Sequence, residues 1–168
     1  MWRRILANVE HPLSALEVGA NVGANLKALR RIIGRHLYAV EPNQYAREIL
    51  EKDGFHATGG EASKIAYPDK FVDLAFTCGV LIHIPPDGLL PAMKEIYRCT
   101  DRYIACIEYF SVKPETIKYR GQDGLLFKRD FGAMWLDHFP DLILKDYGFF
   151  WKRATGLDDL TWQLFEKK

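Results

Sequence analysis

The stretch LEVGANVGANL, residues 16–26, constrains the fold of this chain more than any other. A short apolar run reaches Val18, breaks at Gly19 and passes a second glycine, Gly23. Apolar residues then recur as Val22, Leu26, Leu29 and Ile33, the spacing of one helix face. A strand that stops on glycines and restarts as a helix begins a β-α unit. In a sheet built of such units, the turn between strand and helix lies at the edge where ligands are held.

The unit recurs along the chain. SALEV reads as a first strand, followed by a helix over NVGANLKALRRIIG. HLYAV is the second strand and ends at Glu41-Pro42. NQYAREILEKDG is a helix, with Asn43 as its cap and Gly54 as its stop. FHATGG is a weaker third strand. FVDLAFTCGVLIHI contains a fourth, apolar on both faces as a central strand must be. PPDGLLPAMKEIYRCT is a helix and RYIACIEYF a fifth strand. After Phe110 the order changes. SVKPETIKYRGQDGLLFKR is polar with scattered glycine and reads as a loop over the site. DFGAMWLDHF is a helix capped by Asp130, and LILKDYGFFWK and LTWQLFEK pair as antiparallel strands. The pattern predicts an α/β protein: a doubly wound, Rossmann-like, mostly parallel sheet with an antiparallel C-terminal hairpin and helices on both faces. Its 168 residues are expected to form a single domain, 1–168, with a short N-terminal segment.

Composition enters by exclusion. A formal net charge of +1 offers no basic surface for nucleic acid. No apolar run is long enough for a membrane span. The start, MWRRILANVEHPL, lacks the apolar run and small-residue cleavage site of a signal peptide. Cys78, Cys99 and Cys106 lie in or beside apolar runs without metal-ligand spacing. They read as reduced thiols of a cytoplasmic protein with no metal site.

A dinucleotide would require G-x-G-x-x-G, so that backbone N–H groups meet a pyrophosphate. Gly19-Ala20-Asn21-Val22-Gly23 lacks that triple, and Glu17 is a poor neighbour for a diphosphate. Glu41 ends the second strand, 24 residues after Glu17. A carboxylate there suits the two hydroxyls of a ribose, because it accepts two hydrogen bonds at once. An adenosyl ligand with cationic groups and no phosphates fits both positions, and S-adenosylmethionine is such a ligand.

LEVGANVGANL, YAVEPN, GGEASKI, FVDLAFTCGVLIHI and RYIACIEYF together resemble, in order and spacing, the class I S-adenosylmethionine-dependent methyltransferases. More narrowly, GVLIHI, EIYRCTDRYI, KYRGQDGLLFKRDFG, DLILKDYGF and DDLTW are similar to the small methyltransferases labelled pseudaminic acid biosynthesis-associated. The resemblance implies a seven-stranded sheet whose last strand is antiparallel. It also implies S-adenosylmethionine as cofactor and S-adenosylhomocysteine as product. Gly19, Ala20, Asn21 and Gly23 would pass under the methionine part, and Glu17 would position that turn and favour the ammonium. Glu41 would hold the ribose, with Pro42 near the adenine face. Glu61 and Ala62 would meet the adenine edge, where many relatives carry aspartate in place of Glu61. Thr77, Cys78 and Gly79 would turn backbone carbonyls toward the ammonium. Relatives carry a longer N-terminal segment whose helix covers the cofactor. Here about a dozen residues precede the first strand. Either the site is open, or a second copy or a partner chain covers it, or the N-terminal segment has been trimmed.

For the methyl acceptor, the segment after the fifth strand offers Tyr109, Tyr119, Arg120, Lys128 and Arg129. Such a set suits an anionic sugar or another carboxylated or phosphorylated small molecule, and equally a solvated loop. His83 follows GVLI and has two readings: a general base for the acceptor, or a residue that shapes the pocket, which is the one expected here. Two other function classes stay open. One is a cofactor-binding module without activity of its own. The other is a nucleic-acid or protein methyltransferase, against which stand the balanced charge and the absence of a D/N-P-P-Y/F tetrapeptide.

Overall fold

Strand β1 (Ala15–Val18) is buried at every position, including Glu17. That is the pattern of an inner strand with a layer on each face. The computed structural model describes residues 1–34, 36–119, 121–157 and 159–168, and for Tyr119, Gln122 and Asp123 it describes the backbone alone. β1 pairs in parallel with β2 (Leu37–Val40) on one side and β4 (Val72–Cys78) on the other. β3 (His56–Thr58) extends the sheet beyond β2, and β5 (Thr100–Glu108) extends it beyond β4. The sheet closes with β9 (Leu160–Lys167), antiparallel to β5, and β8 (Leu142–Phe150) at the edge. Its order is β3-β2-β1-β4-β5-β9-β8. This is the seven-stranded, mostly parallel architecture expected from the sequence, with the C-terminal hairpin supplying the antiparallel strand.

Two apolar layers hold the sheet. On one face α1 (Trp2–Ile5), α2 (Ala24–Ile33) and α3 (Gln44–Lys52) bury Trp2, Ile5, Leu26, Leu29 and Leu50 against Phe76 and Trp162. On the other face α4 (Pro86–Cys99) and α5 (Phe131–His138) bury Met93, Ile96 and Trp135 against Phe165. The predicted caps form: Asn43 Oδ1 accepts the Ala46 N–H at 3.1 Å, and Asp130 Oδ1 accepts the Ala133 N–H at 2.9 Å. Each such cap stabilises its helix by about 1 kcal/mol. The three thiols are free. Among the described residues no helix is long and apolar enough to cross a membrane, and no group of three or more His, Cys, Asp or Glu is arranged to hold a metal ion.

Two expectations need correction. Helix α2 starts at Ala24, so Val22 lies on the preceding turn and is exposed rather than part of the apolar face. Gly23 takes the N-cap position at φ +77°, and a Cβ there would lie 2.6 Å from Leu50 Cδ2. The glycine is needed for backbone conformation and for packing of α2 against α3. The second correction concerns residues 111–129, which are not an irregular loop. They hold a hairpin of β6 (Glu115–Tyr119) and β7 (Gln122–Lys128), with Gly121 at φ +82° in the turn. Leu126 and Phe127 are buried, and Leu126 joins the second core beside Leu81 and Ile82. Those two residues belong to a 3-10 turn (Leu81–His83) that follows β4. A short α6 (Lys152–Thr155) lies between β8 and β9.

Candidate active site

The ends of β1 and β2 bring two carboxylates to the edge of the sheet, in different settings. Glu17 is buried; its Oε1 accepts a 2.8 Å hydrogen bond from Asn25 Nδ2 at the start of α2. Its Oε2 is buried and has no hydrogen-bond partner. Burial pushes its carboxyl up to about 8. Glu41, also buried, uses both oxygens: Oε2 accepts the Asn21 N–H at 2.7 Å and Oε1 the Asn43 N–H at 2.9 Å. It therefore ties the β1–α2 turn to the β2–α3 turn. Asn21 holds its place there at φ +47°, in the left-handed region that asparagine tolerates. Gly19, at φ +75°, donates its N–H to the Val40 carbonyl at 2.8 Å. A Cβ on Gly19 would lie 2.6 Å from Val80 Cγ2, so only glycine lets this turn press against the chain leaving β4.

A cavity of about 410 Å³ opens at this edge, within the range of small-molecule sites. Five of the predicted cofactor residues share its wall: Gly19, Glu41, Pro42, Glu61 and Ala62. Glu17 is not in this wall; its carboxylate lies beside Asn25 and near Cys78. Ala20 and Gly23 are buried within the turn, and Asn21 is exposed on it. Thr77 is buried in β4. Cys78 and Gly79 line a second cavity, of about 250 Å³, with Ile82, Tyr109, Leu126 and Leu160. Cys78 and Gly79 are not among the residues that line the larger cavity. His83 belongs to both walls. Its Nδ1 is 2.9 Å from the Leu125 carbonyl oxygen. A carbonyl only accepts, so Nδ1 carries the proton, and in the neutral ring the basic lone pair lies on Nε2.

Glu108 escaped the sequence reading. It ends β5 at 1% exposure, and its Oε1 accepts both the Val80 N–H (3.0 Å) and the Leu81 N–H (3.1 Å). Its Oε2 is buried without a partner, and burial pushes the carboxyl up to about 7. The Val80–His83 segment, which divides the two cavities, is held at its start by this one side chain. A signal was present: one acid in the apolar run RYIACIEYF, since an acid on a fully buried strand needs a donor to meet it. Burial, together with the Glu108 and Glu17 carboxylates, pushes the Cys78 thiol up to about 12. It stays protonated near neutrality and is a poor nucleophile. The walls near Pro85, Gly88 and Ala92, at the start of α4, were also missed.

The predicted acceptor residues divide. Tyr109 and Lys128 meet in a third cavity, of about 340 Å³, together with Phe110 and Phe149. Lys128 Nζ lies 5.7 Å from the Tyr109 ring centre. Arg129 stands outside these three cavities, its guanidinium 5.7 Å from the Phe127 ring centre and its Nε buried without a partner. Tyr119 contributes backbone to β6, and Arg120 lies outside the described residues.

A family model described as a methyltransferase domain matches residues 16–102. No curated protein matches the chain in sequence. Among solved structures, it is similar to the 1,6-didemethyltoxoflavin-N1-methyltransferase of Burkholderia thailandensis, which was solved with 1,6-didemethyltoxoflavin and S-adenosylhomocysteine bound. Identity is 16% and the TM-score 0.78, over 98% of this chain and 75% of that one. A SAM-dependent methyltransferase from Methanosarcina mazei matches at 12% identity and TM-score 0.75, over 99% of this chain and 98% of that one. The [4+2]-cyclase SpnF matches at 14% and 0.70, over 98% and 78%. At these identities the likeness is one of fold.

Proposed function

The chain belongs to the methyltransferase-domain family, and on that premise we propose that it transfers a methyl group from S-adenosylmethionine to a small molecule, as a single cytoplasmic domain of residues 1–168. Its sheet has the class I methyltransferase fold. The observation that carries the reading is a pair of strand-end carboxylates: Glu41 in the wall of the cavity, and Glu17, buried with one unpartnered oxygen and next in the chain to the Val18–Gly19 part of that wall. A cationic, hydroxylated ligand satisfies both, whereas a pyrophosphate would set like charges together.

The residues fit the cofactor. Glu17 Oε2 would accept from its ammonium. Each Glu41 oxygen accepts one backbone N–H and keeps a lone pair for a ribose hydroxyl. Pro42, Glu61 and Ala62 would enclose the adenine. When bound, S-adenosylmethionine supplies a methyl carbon already activated by the sulfonium. The contribution of this chain is therefore alignment of the acceptor more than bond activation. His83 shapes the passage between the cavities. With its Nε2 lone pair it can also receive a proton from a hydroxyl or amine acceptor. The resemblance to pseudaminic acid-associated enzymes implies an anionic sugar as acceptor, and Lys128 supports the anionic part of that reading.

A cofactor-binding module without methyl transfer is the second reading. The cyclase name among the structural neighbours favours it, because one fold hosts unlike chemistries. Calorimetric titration with S-adenosylmethionine, S-adenosylhomocysteine and NADH tests the proposal. Binding of both adenosyl ligands with NADH silent is expected; NADH binding, or no adenosyl binding, overturns it. Transfer of labelled methyl to a metabolite mixture then separates an enzyme from a binding module.

A further inference from the structure

Building on the methyltransferase reading, we infer that the acceptor occupies the two smaller cavities beyond His83 and is a flat aromatic carboxylate rather than a sugar. The cavities form a series. His83 is common to the cofactor cavity and the 250 Å³ cavity, and Tyr109 is common to the 250 Å³ and 340 Å³ cavities. A molecule in the middle cavity thus meets His83 at one end and Tyr109 at the other.

The walls decide the chemistry. The middle cavity is faced by Ile82, Leu126 and Leu160, by the bare backbone of Gly79, and by the protonated Cys78 thiol. Among the described residues, His83 and Tyr109 bring polar side-chain groups besides that thiol. A sugar carries a hydroxyl on nearly every carbon. Each one stripped of water without a partner costs about 1–3 kcal/mol, and the described side chains of this wall that can meet a hydroxyl strongly are His83 and Tyr109. An aromatic ring gains from the same surfaces.

The outer cavity adds two observations. Phe110 and Phe149 stand 44% and 49% exposed at its rim. Large aromatics left uncovered around a concavity mark a binding surface. Lys128 is its cation, and among the described residues no carboxylate lies within ion-pair distance of it. Two other polar groups of this wall already hold hydrogen bonds. Asp159 Oδ1 accepts the Lys152 N–H at 2.8 Å, and the Thr161 hydroxyl donates to the Glu108 carbonyl at 3.1 Å. The ring therefore lies in the middle cavity, its methyl-accepting atom toward His83 and its carboxylate at Lys128.

The test uses the whole chain saturated with S-adenosylhomocysteine, whose own binding is measured first. Failure at that first step rejects the methyltransferase reading and this inference with it. Given that binding, 4-hydroxyphenylacetate, glucuronate and tyramine are titrated separately. The aromatic carboxylate alone is expected to bind. Lys128→Gln should weaken it about 10-fold or more, the loss of a charge-assisted hydrogen bond. Phe149→Ala should also weaken it, and both variants should keep wild-type affinity for S-adenosylhomocysteine. Glucuronate binding would restore the sugar. Tyramine binding would assign the outer cavity to Asp159 and a cation. No binding of 4-hydroxyphenylacetate, or equal binding by Lys128→Gln, overturns the inference.

Discussion

Glu17 holds its proton more tightly in the folded chain than in the unfolded one, with its carboxyl at about 8 instead of 4.5. The sign follows from linkage. The contribution to stability is complete below about pH 4.5 and is lost as pH rises toward 8. Glu17→Gln keeps the shape and an oxygen for Asn25 but removes the charge. The variant without ligand should melt at a higher temperature than wild type at pH 8.5, the gap closing by pH 4.5, and should bind S-adenosylhomocysteine at least about tenfold more weakly. Thermal denaturation at the two pH values and calorimetry check this; an unchanged melting temperature at pH 8.5 would show that the charge costs nothing. Glu41 predicts a different outcome. Its two oxygens already take two backbone N–H groups, so even Glu41→Gln turns an amide donor toward a donor. Loss of about 1–3 kcal/mol of cofactor affinity is expected, together with faster hydrogen exchange at Asn21 and Asn43. Unchanged exchange with weakened binding would confine Glu41 to the ribose. Both glutamates were legible because each lies within one residue of a strand end, beside a turn marked by Gly or Pro. Glu108 was not, because no turn glycine or proline directly follows it and its partners are backbone groups 27 and 28 residues away.

Among the elements, the 3-10 turn and the β6–β7 hairpin were the least readable. The polar residues of KYRGQDG drew attention away from the apolar run LLF, and alternation in β6 is too short to stand out. The hairpin forms because Leu126 and Phe127 find cover that only the folded sheet provides, a tertiary effect on a weak local pattern. The turn facing it hangs on Glu108. Both N–H bonds go to the same oxygen, so Glu108→Gln can keep both, whereas Glu108→Ala leaves two buried donors unmet. Urea unfolding at pH 8 should show Glu108→Ala destabilised by about 2–4 kcal/mol. Glu108→Gln should equal or exceed wild type, because the unfavourable buried charge is gone. A Gln variant as unstable as Ala would mean that the charge itself holds the turn.

At the scale of the molecule, the sheet was legible almost strand by strand, since buried parallel strands between capped helices leave a repeating signature. The proposed acceptor side was not, because its walls come from β4, the 3-10 turn, β7, β8 and β9, which no contiguous motif joins. The cofactor side offers a whole-molecule readout that needs no acceptor. Near pH 7 the free chain keeps Glu17 mostly protonated. An ammonium placed at its unpartnered oxygen favours the ionised form and lowers its pKa. Binding should therefore expel close to one proton per chain at pH 7, and affinity for S-adenosylhomocysteine should rise from pH 6 to pH 8 and then level off. Calorimetry at pH 7 in two buffers of unlike ionisation enthalpy measures the released proton directly, and Glu17→Gln should abolish the release. Tight binding with no proton released from the wild-type chain would place the ammonium elsewhere, and the buried glutamate would then be a support of the glycine turn alone.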